Sequence, residues 1–284
     1  MSLLSEQLAD GRFVVTAEIA PPKGTNLGQA FAEARKLVGV TAVNITDNQG
    51  ANMRLSSLAL AARLQQSGIE TILQLTCRDR NRMALQSDLL GAASFGIENL
   101  LLLSGDHSKF GDQPDARPVF DLDSVQLLDM AAGLMAGVDM VGKPLDGAPQ
   151  FFPGAAANPA AEPFELMFRK VAKKVDSGAR FFQTQAVFER RVLERFSAAI
   201  QPLAVPVIAG VLLVRSGKMA RFLNDNIPGV QVPGELGERL DRASDPMAEG
   251  VAIARETVSW ARELCQGVHL MTLGHEDKIP AILA

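Results

Sequence analysis

Residues 71–106 read TILQLTCRDRNRMALQSDLLGAASFGIENLLLLSGD and contain the pattern that decides the fold. An apolar run at Thr71–Thr76 and another at Leu100–Leu103 flank a helical stretch through Leu89. Continuous apolar strands joined by an amphipathic helix are typical of a βαβ unit, in which parallel strands are buried on both faces. The segment therefore predicts two neighbouring parallel strands, each followed by polar residues.

The same alternation of strand and helix continues on both sides of this segment. Strands are predicted at Phe13–Ile19, Ala42–Thr46, Thr71–Thr76, Leu100–Leu103, Phe151–Ala157, Phe181–Gln185, Val205–Leu213 and Val268–Leu273. Eight βα units, the last with only a short helix, favour an α/β fold of the single (β/α)8 TIM barrel type. An open doubly wound sheet is the structural alternative. We expect one barrel domain over residues 1–284, with an extra helical segment at about 226–262.

The composition limits the classes of function. A net charge of −4 without a basic stripe gives no sign of nucleic-acid binding. Cys77 and Cys265 are the only cysteines, which excludes a disulfide scaffold and a CxxC site, and the three histidines do not cluster, so we expect no metal site. The acidic N-terminal residues and the absence of 18 uninterrupted apolar residues predict a cytoplasmic protein without a membrane span.

Polar residues interrupt the apolar strands at or near their carboxyl ends, the face where barrel enzymes place their chemistry. They are Glu18, Asn44, Thr46, Asp47, Gln74, Thr76, Ser104, Gly105, Asp106, Asn158, Gln183, Thr184 and Gln185. Convergence from six strands predicts a site at this end of the barrel. The long connections at 105–118 and 137–149 are further candidates for functional loops.

Each candidate also has a structural interpretation. Glu18 could be a buried carboxylate neutralised by a basic residue, and Asp106 could shape a turn or cap a helix. Gln74 and Gln185 could bond to each other, and Lys174 could be a solvated partner of its helix end. The occurrence of Glu18 and Asp106 in one ring favours chemistry: desolvation in an apolar strand favours a protonated Glu18 as proton donor, and a second carboxylate can orient a substrate.

Seven segments at successive strand ends add a resemblance to a known family. They are AEIAPPKG at 17–24, VNITD at 43–47, LQLTC at 73–77, LLLLSGD at 100–106, GAAANP at 154–159, KKVDSGARFFQTQ at 173–185 and MTLGH at 271–275. In this order the chain resembles the methylenetetrahydrofolate reductase family along nearly its full length.

The resemblance implies a flavin-dependent reduction of 5,10-methylenetetrahydrofolate to 5-methyltetrahydrofolate, with ping-pong kinetics. It implies that Glu18 is the general acid that opens the five-membered ring, that Asp106 is the carboxylate near flavin and pterin, and that Gln185 contacts the substrate. His275 would lie at the folate end. The implied cofactor-binding positions are Thr46, Gln74, Ser104, Gly105, Asp106, Phe120, Gly154, Asn158 and Lys174.

Several positions depart from the best-known bacterial pattern of that family. That pattern has a histidine, a tyrosine or an arginine at the positions that are Gln74, Ser104, Phe120, Gly154, Asn158, Met271 and His275 in this sequence. The resemblance implies FAD, with FMN as the alternative, and NAD(P)H or a reduced partner protein as electron donor. The pattern looks closer to the branch of anaerobes that works with a separate electron-transfer or zinc-binding partner subunit, and a homo-oligomer is also open. The alternatives are a pterin-binding methyltransferase barrel without flavin and a catalytically quiet folate-binding subunit.

Overall fold

Eight parallel strands close into a barrel in chain order in the computed structural model, which describes residues 1–227 and 229–284. The strands are β1 Val14–Ile19, β2 Ala42–Ile45, β3 Thr71–Thr76, β4 Asn99–Leu103, β5 Phe152–Ala157, β6 Phe181–Ala186, β7 Val207–Leu212 and β8 Gly267–Met271. The α-helices are α1 Leu3–Ala9, α2 Gly28–Ala34, α3 Ser57–Gln66, α4 Arg82–Ser94, α5 Ser124–Met135, α6 Phe164–Asp176, α7 Arg190–Ile200, α8 Gly217–Asn226, α9 Gly234–Arg242, α10 Pro246–Leu264 and α11 Ile279–Leu283. Because β1 pairs with β8, the predicted closed barrel is confirmed and the open sheet is excluded.

The unit β3–α4–β4 shows why these residues form these elements. Asn81 begins α4, since its side chain accepts hydrogen bonds from the backbone N–H groups two and three residues ahead. Leu85, Leu89 and Ala92 form the fully buried face of the helix against the barrel. Gly96 then adopts a φ of +74°, which allows the chain to turn directly into β4.

The strand ends lie within one residue of the sequence prediction except at the start of β7 and the end of β8, which differ by two residues for local reasons. Strand β7 begins at Val207 rather than Val205, because Pro206 has no N–H to donate to a neighbouring strand. Strand β8 ends at Met271, and Leu273 has a φ of +51°, which is incompatible with an extended chain.

The amino-terminal end of the barrel is closed by helix α1. Leu4 and Leu8 pack in one apolar cluster with residues at the starts of the strands and with the buried ring of Phe181. Ser2 fixes the start of this helix, since its hydroxyl donates to Asn99 Oδ1 at 2.6 Å. The interior at this end is therefore filled mainly with apolar side chains, and its few buried polar residues, such as Ser2 and Asn99, bond to one another.

Three helices, α8 to α10, lie between β7 and β8 and share a second apolar cluster that includes Leu212, Leu223, Leu240 and Ile253. The connection at 137–149 leads from α5 to the start of β5, so this predicted functional loop lies at the closed end of the barrel. In the described part of the chain, no helix is both long enough and apolar enough to cross a bilayer.

Candidate active site

A cavity of about 470 Å³ opens at the carboxyl ends of the strands, within the range of roughly 300–1,000 Å³ common for small-molecule sites. Residues from seven strands or the loops that follow them line it. The sequence-predicted site residues among them are Glu18, Gln74, Ser104, Gly105, Asp106, Asn158, Lys174 and Gln185. The structure therefore brings together most of the residues singled out from the sequence.

The carboxylate of Glu18 projects from β1 and is only 11% exposed. Its Oε1 lies 3.4 Å from the donating amide nitrogen of Gln49, and its Oε2 lies 3.6 Å from Nε2 of His269. Among residues 1–227 and 229–284, no lysine or arginine is paired with this carboxylate. The arrangement therefore does not match the alternative of a structural carboxylate neutralised by a basic residue.

Asp106 lies in the loop that follows β4, where Gly105 makes a close turn. Gly105 has a φ of +87°, and a Cβ there would lie 3.0 Å from Cβ of Thr76. The guanidinium of Arg78 donates to the backbone carbonyl of Asp106 at 3.1 Å and so fixes the loop. Helix α5 is capped by Asp123 instead, which leaves the exposed carboxylate of Asp106 directed to the cavity rather than used as a cap.

Arg78 is a buried cation at the edge of this cavity. Burial opposes its charge, but the hydrogen bond and charge of Asp79, with the charges of Asp47 and Asp106, raise the pKa of Arg78. Its side chain is only 2% exposed and also donates to the carbonyl of Asn48. Arg78 therefore joins the loops that follow β2, β3 and β4.

Gln74 and Gln185 do not bond to each other, in contrast to the structural alternative considered above. Gln74 donates from Nε2 to Oδ1 of Asn44 at 3.2 Å. Gln185 lies within a shift of register between β6 and β7, where the hydroxyl of Thr184 accepts from the N–H of Gly210 and donates to the carbonyl of Gln185. Such bulges change the direction of a side chain, and here Gln185 borders the cavity.

Lys174 extends from α6 beneath the end of β5, and its ammonium donates to the carbonyl of Ala156 at 2.8 Å. Burial, reinforced by the charge of Lys170, lowers the pKa of Lys174. A second cavity of about 220 Å³ continues from here between β5 and α6. Four residues, Ala156, Ala157, Asn158 and Lys174, line both cavities, so the two adjoin, and we refer to them together as the groove.

Two predicted cofactor-binding positions are buried outside the lining of the main cavity. Gly154 lies in the lower layer of the barrel, where a Cβ would be 2.1 Å from Cζ of Phe181. Thr46 is 2% exposed, and its hydroxyl has no hydrogen-bond partner within the described residues. Neither side chain touches the main cavity as the structure stands.

Two more predicted positions lie on the rim. Phe120 is partly exposed in the loop before α5, with a φ of +40° and its N–H bonded to the carbonyl of Cys77. His275, predicted at the folate end, follows β8 and pairs through Nε2 with the guanidinium of Arg215 at 2.7 Å. This pair joins the segments that follow β7 and β8.

Sequence reasoning missed two groups of cavity residues. His269 lies inside β8 with 1% exposure, and its apolar neighbours gave only the signal of a lone buried histidine. The run Arg78-Asp79-Arg80 directly after β3 was a visible charge signal, but its partners come from other strands. In the described ranges, no three histidine, cysteine or acidic side chains group as they would around a metal ion.

Comparisons with known proteins give the family. A sequence model described as "Methylenetetrahydrofolate reductase" matches residues 3–284. A "Probable methylenetetrahydrofolate reductase (NADH)" of Oryza sativa subsp. japonica is 27% identical, over 99% of this chain and 49% of the rice protein. The "5,10-methylenetetrahydrofolate reductase" of Pectobacterium carotovorum subsp. carotovorum is 24% identical, over 98% of this chain and 92% of that protein. The chain spans about half the length of the first curated relatives it matches.

A solved structure shares the fold. An uncharacterized protein from Clostridium thermocellum that binds two copies of 5-methyl-5,6,7,8-tetrahydrofolic acid superposes with a TM-score of 0.68 at 15% identity. The superposition covers 99% of this chain and 96% of that protein. This likeness concerns the barrel, whereas the family match rests on the sequence along almost the whole chain. The chain therefore belongs to the methylenetetrahydrofolate reductase family.

Proposed function

We propose that this protein reduces 5,10-methylenetetrahydrofolate to 5-methyltetrahydrofolate, with a bound flavin as the hydride carrier. The observation that carries the proposal is the presence of Glu18, Asp106 and Gln185 around one cavity, from β1, β4 and β6. They are a shielded carboxyl group, an exposed carboxyl group and an amide, which are the groups needed to protonate, orient and hydrogen-bond a reduced pterin. The names of the relatives support the same reaction.

The residues present fit a flavin. The groove offers the ammonium of Lys174 for phosphate, the close turn at Gly105 for a flat ring, and the buried Oε1 of Gln183, which has no hydrogen-bond partner within the described residues. Gln74, Ser104 and Asn158 add polar groups around the same surface. When bound, the flavin would supply the hydride. The second cavity beyond Lys174 gives room for the adenylate half, which favours FAD over FMN.

The chain's own residues then handle the proton and the orientation of the folate. Glu18 donates a proton to the folate nitrogen that leaves the methylene carbon when the five-membered ring opens. Asp106 accepts hydrogen bonds from the pterin and holds it in one orientation, while the amide of Gln185 contacts its other side.

The names of the relatives include both NADH and NADPH types, which supports a nicotinamide as the electron donor. A reduced partner protein is the alternative donor. A zinc-binding or electron-transfer partner subunit, a homo-oligomer and a cytoplasmic location stay predictions from the sequence.

Anaerobic half-reaction kinetics test the proposal. We expect purified protein to bind FAD, to be bleached by NADH or NADPH, and to recover its absorbance when methylenetetrahydrofolate is added. Glu18→Gln should slow the recovery by about 100-fold or more, the range of general acid catalysis, and leave bleaching unchanged. The matched control is Glu165→Gln, because that carboxylate is 76% exposed on α6.

Three results would contradict the proposal. Protein that binds neither FAD nor FMN but transfers a methyl group from methyltetrahydrofolate would support the methyltransferase alternative. Protein that binds folate but shows no turnover with any of the donors would support the alternative of a catalytically quiet subunit. Full activity of Glu18→Gln would show that Glu18 is not the general acid.

A further inference from the structure

His269 lies directly beneath Glu18 and has one ring nitrogen satisfied and one not. Its Nδ1 lies 3.0 Å from the hydroxyl of Thr16 and 3.3 Å from Nδ2 of Asn44. Its Nε2 is buried without a hydrogen-bond partner in the described part of the chain and lies 3.6 Å from Oε2 of Glu18. A fully buried imidazole nitrogen aimed at the proposed acid requires a chemical explanation.

The neighbouring amides determine which nitrogen of His269 carries the proton. Gln74 donates to Oδ1 of Asn44, so the amide of Asn44 presents its Nδ2 donor to Nδ1 of His269. The hydroxyl of Thr16 can also donate to Nδ1, because its other acceptor, the carbonyl of Val268, lies 3.5 Å away, at the limit of a hydrogen bond. With Nδ1 as the acceptor, the other nitrogen of a neutral imidazole is the donor. The result is an Nε2–H group that faces Oε2 of Glu18.

We propose that His269 is a positioning residue that selects which oxygen of Glu18 holds the acidic proton. The inference rests on the proposed role of Glu18 as the acid. An Nε2–H donor beside Oε2 would oppose a second proton on that oxygen, so the carboxylic acid carries its proton on Oε1. Oε1 is the oxygen beside Gln49, whose exposed amide can rotate to present its own oxygen to that proton, whereas the buried imidazole of His269 cannot turn away. A movement of roughly 0.7 Å brings the 3.6 Å separation to ordinary hydrogen-bond length.

The chain of contacts Gln74–Asn44–His269–Glu18 thus links β3, β2, β8 and β1. With His269 as the neutral Nε2–H tautomer, this chain of contacts fixes Glu18 without placing a charge next to it. A lysine or arginine at the position of His269 would instead favour the carboxylate, which cannot donate a proton.

Nitrogen-15 NMR of histidine-labelled protein tests the tautomer without flavin or folate. The chain has only three histidines, so His269→Gln identifies the His269 signals by their loss. At alkaline pH we expect His269 to carry its proton on Nε2. Glu18→Gln should shift the His269 signals and leave those of His107 and His275 unchanged, and Glu165→Gln should shift none of them.

A substitution at Asn44 gives a second, directional result. Asn44→Asp places an acceptor beside Nδ1, so Nδ1 of His269 should become protonated. A wild-type spectrum with the proton on Nδ1, His269 signals that do not respond to Glu18→Gln, or an unprotonated Nδ1 in Asn44→Asp would each overturn the inference. These outcomes do not depend on whether the protein reduces folate, so they are distinguishable from failure of the proposed function.

Kinetics then test the consequence for catalysis. His269→Leu should slow flavin reoxidation by methylenetetrahydrofolate by about 10- to 100-fold, the scale of losses from small misplacements, with flavin reduction by the nicotinamide unchanged. His269→Gln should recover part of the rate, since its amide retains a donor. A wild-type rate in His269→Leu, or equal slowing of both half-reactions, would contradict the positioning role. If His269→Leu does not fold, the spectra of Glu18→Gln and Asn44→Asp still decide the question.

Discussion

Asp47→Asn should destabilise the barrel beneath the cavity. Asp47 follows β2, and its carboxylate is 2% exposed. Oδ2 accepts from the N–H and the hydroxyl of Thr76 at 2.9 and 2.8 Å and from Arg80 at 2.7 Å. Oδ1 accepts from Arg80 at 3.2 Å and from Ser57 at 3.3 Å. Both oxygens face donors, so an asparagine of the same shape would place its own NH2 donor against one of them.

The expected loss follows from the burial of the partners. Removal of one member of a buried ion pair costs about 3–5 kcal/mol, because the other charge remains buried. Burial opposes the charge of Arg80, but Asp47 and Asp88 raise its pKa. Arg80 is 15% exposed and keeps the carboxylate of Asp88 at 2.7 Å. We therefore expect the lower end of the range, about 3 kcal/mol.

Asp88 provides a matched control on the same guanidinium. Its carboxylate is 31% exposed, so Asp88→Asn should cost only about 0–1 kcal/mol. The free energy of unfolding can be compared by urea titration followed by circular dichroism, provided that the slope with urea is unchanged. A loss under 1 kcal/mol in Asp47→Asn, or equal losses in the two variants, would refute the reasoning.

Three further predictions follow from burial at the site. Gly154→Ala should lower the unfolding free energy by about 1–3 kcal/mol through a clash with Phe181, while FAD affinity measured by titration stays unchanged. A loss of FAD affinity without a loss of stability would show that Gly154 belongs to the cofactor site. Lys174→Met should weaken FAD binding by about 10-fold, one lost charged hydrogen bond, and the exposed Lys173→Met should not; equal effects would argue against the phosphate role. Burial raises the pKa of both cysteines to about 12. Iodoacetamide at pH 8 should therefore modify neither cysteine in the native protein and both after unfolding. Labelling of the native protein would contradict this prediction.

The barrel was predictable from the sequence because its signals are local. Apolar runs, helix caps and positive-φ glycines act within a few residues of one another, as Asn81 and Gly96 do around α4. The site was predictable where a residue ends a strand, as with Asp106 and Asn158, because all carboxyl ends of a parallel barrel share one face.

The distance of a strand residue from the open end of the barrel was not predictable in the same way. Gly154 lies four residues before Asn158, and at about 3.3 Å per residue this separates them by roughly 13 Å. A short sequence motif contains both, but only Asn158 reaches the cavity. The direction of Gln185 was equally hidden, because it depends on a register shift between β6 and β7.

The contacts of His269 could not be predicted from the sequence, because they depend on how strands far apart in the chain pair with each other. Strand β8 pairs with β1 so that His269 lies beside Thr16, more than 250 positions earlier in the chain. Apolar neighbours in the sequence indicate that such a histidine is buried, but not which groups surround it. The place of Glu18 at the cavity was therefore predictable, whereas the residue proposed to position it was not.

Buried polar atoms that lack a hydrogen-bond partner in the described residues concentrate near the open end of the barrel. Thr46 Oγ1, Gln183 Oε1 and His269 Nε2 lie at or beside the cavity, and Arg215 Nε lies on the rim after β7. Each such atom lowers the stability of the fold by about 1–3 kcal/mol relative to a hydrogen-bonded one. The closed end of the barrel is instead filled by apolar side chains such as Leu4, Leu8 and Phe181. Of these residues, Gln183 and His269 line the cavity and Thr46 and Arg215 do not. Because Nε2 of His269 faces Glu18, the atom available to a ligand is Oε1 of Gln183. The unsatisfied Oε1 of Gln183 favours a binding site over a merely structural polar layer, because buried polar atoms in a structural layer are hydrogen-bonded to one another.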